Sequence, residues 1–208
     1  NGGTFRPLSW LKYAESAGWH TDAVTTYAGG SDPGASKQLV DDVPSANIAV
    51  VRPGPENVSW RLFPRIDGGL TAAVDCFFAK RDLGNGYDVV VATGPSFHCF
   101  VAGYLYSLLS RSPLVLDFRD EWTLCPFPFV RKGNADQFFE RLCVRRAKRV
   151  LFTTKGHLEA YAKLYPDSAH KFQILANGWE PADFATDFGK KVRDRENAST
   201  GAFRIGHI

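Results

Sequence analysis

Methionine is absent from all 208 residues, and nothing else in the chain gives a physical reason for it. A long apolar run is absent too. The longest, Phe97 to Leu109, is broken by Gly103 and Ser107 and falls short of the roughly 20 residues that cross a bilayer. It reads as a buried helix. No leader peptide is visible, although the chain starts abruptly at Asn1-Gly2-Gly3. Charge of one sign is scarce: 25 basic and 22 acidic residues leave a net charge of +3. Nucleic-acid binding needs a concentrated basic stripe, and this balance does not supply one. The four cysteines, Cys76, Cys99, Cys125 and Cys143, include no Cys-x-x-Cys pair, so zinc-ligand spacing is lacking. They read as reduced thiols acting as small hydrophobes in a cytoplasmic protein. In that compartment the triplets Asn57-Val58-Ser59 and Asn197-Ala198-Ser199 carry no glycan. No P-loop and no Gly-x-Gly-x-x-Gly fingerprint occurs, which speaks against NTP hydrolysis and against nicotinamide or flavin chemistry. No Ser-His-Asp order or Cys-His pair can be assigned.

What is present is a globular composition, 44% hydrophobic and 23% charged. The length suits one α/β domain and a linker. Helical and strand patterns alternate. Thr4 to Ala17 predicts a helix, with Thr4 as cap, Pro7 in the first turn and Gly18 past the end. His20–Thr26 and Asn47–Arg52 predict strands, and Gly69–Lys80 a helix. Asp88–Thr93 is a short β-branched run expected of a strand buried on both faces, and Ser96 is placed to cap the helix after it. Leu114–Phe118 is the next strand. Ala135, Phe138, Phe139, Leu142 and Cys143 share one helix face. Arg149–Thr153 and Phe172–Ala176 predict strands around a helix whose inner face is Leu158, Tyr161, Ala162 and Tyr165.

Such alternation predicts a Rossmann-like, doubly wound parallel sheet. Residues 1–185 form that domain, residues 186–202 are a polar linker, and Phe203–Ile208 resembles the first strand of a further domain. A doubly wound domain opens with a strand feeding a glycine turn. Here the turn comes first, so the opening strand is expected to be missing.

In an open parallel sheet, ligands bind at the carboxyl ends of the strands. The loops predicted at that edge hold the candidate residues. Gly2 and Gly3 precede a helix N-terminus, where backbone N–H groups suit a phosphate, although on its own the pair reads first as a plain tight turn. Asp117, Arg119 and Asp120 follow an apolar strand. Asp120 is suited to orient a sugar hydroxyl or take a proton, and the alternative is an Asp–Arg pair that holds Trp122 down. Alternation along the strand is expected to point Asp117 and Arg119 in different directions. Ser96 and His98 lie on the neighbouring loop. Thr154 suits a helix cap, with Lys155 beside it as a possible phosphate or sugar contact. Asn177 and Gly178 end the last predicted strand. The basic run Arg145, Arg146, Lys148 and Arg149 fits a helix C-terminus, with a membrane-surface patch as the alternative.

Taken in order, these pieces resemble one family. Gly2-Gly3-Thr4-Phe5-Arg6-Pro7, a helix ending Ala17-Gly18-Trp19-His20, and Tyr87 to Thr93 are similar to the opening and central strand of family-four-type glycosyltransferases of the GT-B fold. Asp117-Phe118-Arg119-Asp120-Glu121-Trp122 resembles the Asp-x-Arg-Asp-x-Trp stretch of a subgroup that builds bacterial surface polysaccharides. Ala176-Asn177-Gly178, then Phe184, is similar to the family's Pro-Asn-Gly segment, with alanine in the proline's place.

The resemblance implies the N-terminal, acceptor-side half of a two-domain retaining enzyme without a bound metal or permanent cofactor. Its donor is a nucleotide sugar and its acceptor a saccharide or a lipid-linked sugar, with peripheral membrane contact at the inner face of the membrane. Gly2 and Gly3 would lie by the donor phosphates and Asp120 would be catalytic. Ser96, His98, Asp117, Arg119, Lys155, Asn177 and Gly178 would line the sugar and acceptor side. The C-terminal domain would supply most donor contacts, so the isolated domain is expected to be inactive. The rivals are a sugar-nucleotide epimerase of the same fold, a non-catalytic carbohydrate-binding module and, least favoured, an oxidoreductase.

Overall fold

A parallel strand needs a crossover to reach its neighbour, and the spacing of apolar runs in this chain supplies a helix at most of these crossings. The computed structural model describes residues 5–26, 47–51, 66, 69–79, 86–127 and 132–178. Helix α1 (Phe5–Ala14) runs into a 3₁₀ turn (Glu15–Ala17) and stops at Gly18, whose φ of 76° is left-handed and suits glycine. Strands β1 (Asp22–Thr26) and β2 (Asn47–Val51) follow, then α2 (Leu70–Phe78) and β3 (Val90–Gly94). The chain continues through α3 (His98–Ser110), β4 (Leu114–Phe118), α4 (Asn134–Arg146), β5 (Arg149–Phe152) and α5 (Lys155–Leu164). A 3₁₀ turn (Pro166–Lys171) leads into β6 (Phe172–Ile174). The expectations for Thr4, for residues 186–202 and for Phe203–Ile208 lie outside the described residues.

All strand pairings among the described residues are parallel. β1 pairs with β2, and β3, β4, β5 and β6 form a second ladder in that order. The α/β, Rossmann-like class expected from the sequence is therefore the one observed. Where crossovers follow the right-handed rule for parallel strands, α3, α4 and α5 share one face of that ladder. The core lies beneath them. Leu114, Leu116, Phe118, Val150 and Phe152 are fully buried, with Phe100 and Tyr161 covering them. Gly103 lets α3 sit close on β3, because a Cβ there would stand 2.8 Å from the Ala92 Cβ. By clustering of contacts the chain divides into a unit of residues 1–176 and a unit of residues 177–208. No helix among the described residues is long and apolar enough to cross a membrane.

Three local expectations need correction. β3 is not buried on both faces: Val91 is 45% exposed, because β3 has a partner strand on one side only among the described residues. Ser96 does not cap α3, whose cap position is Phe97 with no side-chain bond. On α4, Phe138 faces outward at 58% exposure, while Asp136 and Glu140 turn inward beside Cys143 and Val144. Hydrogen bonding explains that rotation. The Asp136 carboxylate accepts from Trp122 Nε1 (2.9 Å) and from the Gly133 N–H (2.8 Å). Glu140 accepts from the Thr123 N–H and hydroxyl and from the hydroxyls of Tyr161 and Tyr165, at 2.6–3.0 Å. Four donors satisfy a carboxylate that burial alone would expel.

Candidate functional site

The four strands β3 to β6 run the same way, so their exits converge on one edge. Asp117, near the end of β4, is fully buried there. Its carboxylate accepts from Arg6 Nη1 at 2.7 Å and from the Thr93 hydroxyl at 2.8 Å. The other Arg6 nitrogen, Nη2, donates to the Leu175 carbonyl at 2.6 Å. Arg119, two residues beyond Asp117, lies with Nε 3.9 Å from Asp117 Oδ2 and donates from Nε to the Gly94 carbonyl at 2.7 Å. Thr153 donates to the Arg119 carbonyl at 3.2 Å. One network thus joins the start of α1, the ends of β3, β4 and β5, and the chain after β6.

Burial sets the electrostatics. Two guanidiniums face one buried carboxylate, which leaves a positive surplus within the network. Desolvation pushes the Arg119 pKa below its usual value, and the nearby Asp117 and Asp120 oppose that shift. Arginine still stays charged, and its planar donors suit a carboxylate or a phosphate. Asp120 is exposed and has no hydrogen bond to another described residue.

The sequence candidates distribute unevenly. Asp117 and Arg119 come together, against the expectation that they diverge, because residues two apart share one side of a strand. His98 is buried in the first turn of α3, with Nε2 3.4 Å from the Thr26 hydroxyl at the end of β1. Ser96 is exposed on the loop before it. Lys155 points into solvent and pairs with Glu159 at 3.6 Å across one helical turn. Thr154 caps α5 as expected, its hydroxyl accepting from the His157 N–H. Asn177 and Gly178 are exposed and belong to the second unit. Gly2 and Gly3 lie outside the described residues. No group of three metal-ligating side chains occurs among the described residues.

Residues 1–178 match the family described as glycosyl transferase 4-like domain. The chain belongs to that family. Among solved structures, this glycosyl transferase 4-like chain is similar to Anabaena HepE in complex with UDP and glucose, with TM-score 0.56 and 16% identity over 95% of this chain. A second HepE structure, with UDP, gives TM-score 0.53 and 16% identity over 95% of this chain. A third, with UDP-glucose, gives 0.50 and 17% over 87%. The chain spans about half the length of these structures, 47%, 46% and 51% respectively. At such identities the likeness carries the fold. No curated protein sequence matches the chain.

Sequence reading left Arg6 out of the site and named Thr93 only as part of the loop after β3. Arg6 lies 111 residues from Asp117, and no local pattern links them. Its position in the first turn of a helix leaving the carboxyl edge was the available signal. His157 is buried against the rings of Phe118, Phe152 and Tyr161. Trp122, which the motif made conspicuous, is packed in the core. It stacks on Phe97 with centroids 5.0 Å apart and rings 3° from parallel.

Proposed function

We propose that this chain is the acceptor-side, N-terminal half of a GT-B enzyme that transfers a sugar from a nucleotide-sugar donor to a saccharide or lipid-linked acceptor. The observation that carries the reading is the family match over residues 1–178. It is supported by the convergence of Arg6, Asp117, Arg119 and Asp120 at the ligand edge of a parallel sheet. HepE, which shares the fold, was solved with UDP, with UDP and glucose, and with UDP-glucose. In this reading the bond between the anomeric carbon and the diphosphate breaks, and the acceptor oxygen forms the new one as it gives up its proton. Asp120 orients that hydroxyl or takes the proton. The guanidinium of Arg119 adds positive potential for the departing diphosphate. Gly2 and Gly3 lie by the donor phosphates. Ser96, His98 and Lys155 complete the sugar side of this unit, and Asn177 and Gly178 are sugar-binding residues of the second unit.

The finer statements belong to the same proposal. The anomeric configuration is retained, and the likeness of the Asp-x-Arg-Asp-x-Trp stretch to a polysaccharide-building subgroup supports surface-polysaccharide synthesis at the inner face of the membrane. No cofactor is bound permanently. The 208 residues alone do not turn over, because the donor contacts come mainly from a second domain.

The test is transfer from radiolabelled UDP-glucose, and then from other nucleotide sugars, by the protein that carries this chain. Saccharide and polyprenyl-linked acceptors are supplied, and the product anomer is read by NMR. Acceptor-dependent product is expected, with Asp120→Asn slowing it by about 100-fold or more. Sugar interconversion without any acceptor would show an epimerase instead. Saccharide binding without turnover of any donor would leave a binding module.

A further inference from the structure

Asp120 is exposed, and no hydrogen bond to another described residue orients its carboxylate. Its direction is therefore set by the main chain that carries it. That main chain is held on both sides. Before Asp120, the Arg119 carbonyl accepts from the Thr153 hydroxyl at 3.2 Å, and Arg119 Nε donates to the Gly94 carbonyl at 2.7 Å. After Glu121, the Trp122 N–H donates to the Tyr161 hydroxyl at 3.0 Å, and the Thr123 N–H to Glu140 Oε2 at 2.8 Å. Asp120 and Glu121 are the residues between these two anchors.

The second anchor has a fixed polarity. The Tyr161 hydroxyl carries one proton and donates it to Glu140 Oε2 at 3.0 Å, which turns an oxygen lone pair toward the Trp122 N–H. Burial, and then the Glu140 charge, push the Tyr161 pKa above the ordinary tyrosine value, so that proton stays on the hydroxyl. Tyr161 on α5 and Glu140 on α4 are both fully buried. The Trp122 ring adds a hold of its own, with Nε1 donating to Asp136 and the indole stacked on Phe97. A carboxylate at the surface is thus placed by groups inside the domain and not by contacts of its own. A site gains accuracy when inner groups lock the residues that carry it.

We propose that Tyr161 is a positioning residue for sugar transfer, oriented by Glu140 and acting through the Trp122 main chain on Asp120. This rests on the transferase reading, in which Asp120 meets the acceptor hydroxyl. Such reactions are sensitive to placement, and a shift of about 1 Å costs about 100-fold in rate. Tyr161→Phe keeps the ring and its packing on Phe118 and Phe152 but leaves the Trp122 N–H without its acceptor. Glu140→Gln is different. Its amide oxygen can stand in for Oε2 and accept from Tyr161 and the Thr123 N–H. Its amide nitrogen then donates to the hydroxyls of Thr123 and Tyr165, which accept as well as donate. The anchor therefore survives in Glu140→Gln and is broken in Tyr161→Phe.

Transfer kinetics of the protein that carries this chain test it, measured well below the melting temperature of every variant. Tyr161→Phe is expected to lower kcat by about 10- to 100-fold, with donor and acceptor KM changed by less than about threefold. Glu140→Gln should keep kcat within about threefold of the unaltered protein. Tyr165→Phe should do the same, because it removes one donor from the same carboxylate without touching the main chain of Trp122 or Thr123. Added to Asp120→Asn, Tyr161→Phe should slow transfer by less than about a further threefold, since residues that act through one group are not additive. A general loosening of the domain would multiply the two effects. The proposal is overturned if Tyr161→Phe leaves kcat unchanged, if Tyr165→Phe lowers it as much, or if the two effects multiply. In each of those cases sugar is still transferred and the transferase reading stands. Absence of any transfer by the unaltered protein would remove that reading, and the proposal with it.

Discussion

Asp117 shows how one side chain can organise a sheet edge. Its carboxylate is fully buried and is stabilised by Arg6 and Thr93. Removing one member of such a pair leaves an uncompensated buried charge, which is far costlier than deleting both. Asp117→Ala is therefore expected to lower unfolding free energy by about 3–5 kcal/mol in a urea titration. His157 offers a second test at this scale. Burial among aromatic rings lowers its pKa below the ordinary 6.5, and the nearby Glu121 and Asp120 only partly offset that. A lowered folded pKa means that the unfolded chain takes up the proton first as pH falls. The stabilising contribution is then present above about pH 6.5 and is lost below it, with a slope of at most about 1.4 kcal/mol per pH unit. Thermal unfolding from about pH 7.5 to pH 5.5 should show this fall. His157→Phe should flatten it relative to the unaltered chain.

At the scale of elements, the helix α4 was legible and its rotation was not. Apolar periodicity placed a helix over the right residues and brought Phe139 and Cys143 to the core, yet it also placed Phe138 there. Periodicity ranks residues by hydrophobicity and cannot register that Thr123, Tyr161 and Tyr165 present four donors to Glu140. Burial raises the Glu140 pKa, and those donors hold it down. Glu140→Ala should cost about 2–4 kcal/mol, since it strands buried donors. Phe138→Ser on the same helix should change stability by less than about 0.5 kcal/mol. Denaturant midpoints of the two variants separate these expectations. Packing of α3 on β3 is equally specific. Gly103→Ala would press a methyl against Ala92 and is expected to cost about 1–3 kcal/mol by the same measurement.

For the whole molecule, the sheet's parallel direction matters more than any single residue, because it brings the strand exits to one edge. The proposed transfer reaction follows from that arrangement.

By itself the sequence determined the class and order of elements. Short β-branched runs alternating with amphipathic stretches leave few solutions besides a parallel sheet, and the strand exits could be named from the pattern. It also carried the family, through the order of motifs from Gly2-Gly3 to Asn177-Gly178. Tertiary structure alone decided which polar groups meet. Arg6 reaches Asp117 across 111 residues, His98 meets Thr26 across 72, and Trp122 leaves the ligand edge for the core. Spacing along a chain encodes which residues share a face of one helix or strand. Contacts between elements depend on how those faces are stacked, and only burial and hydrogen-bond demand in the folded chain set that.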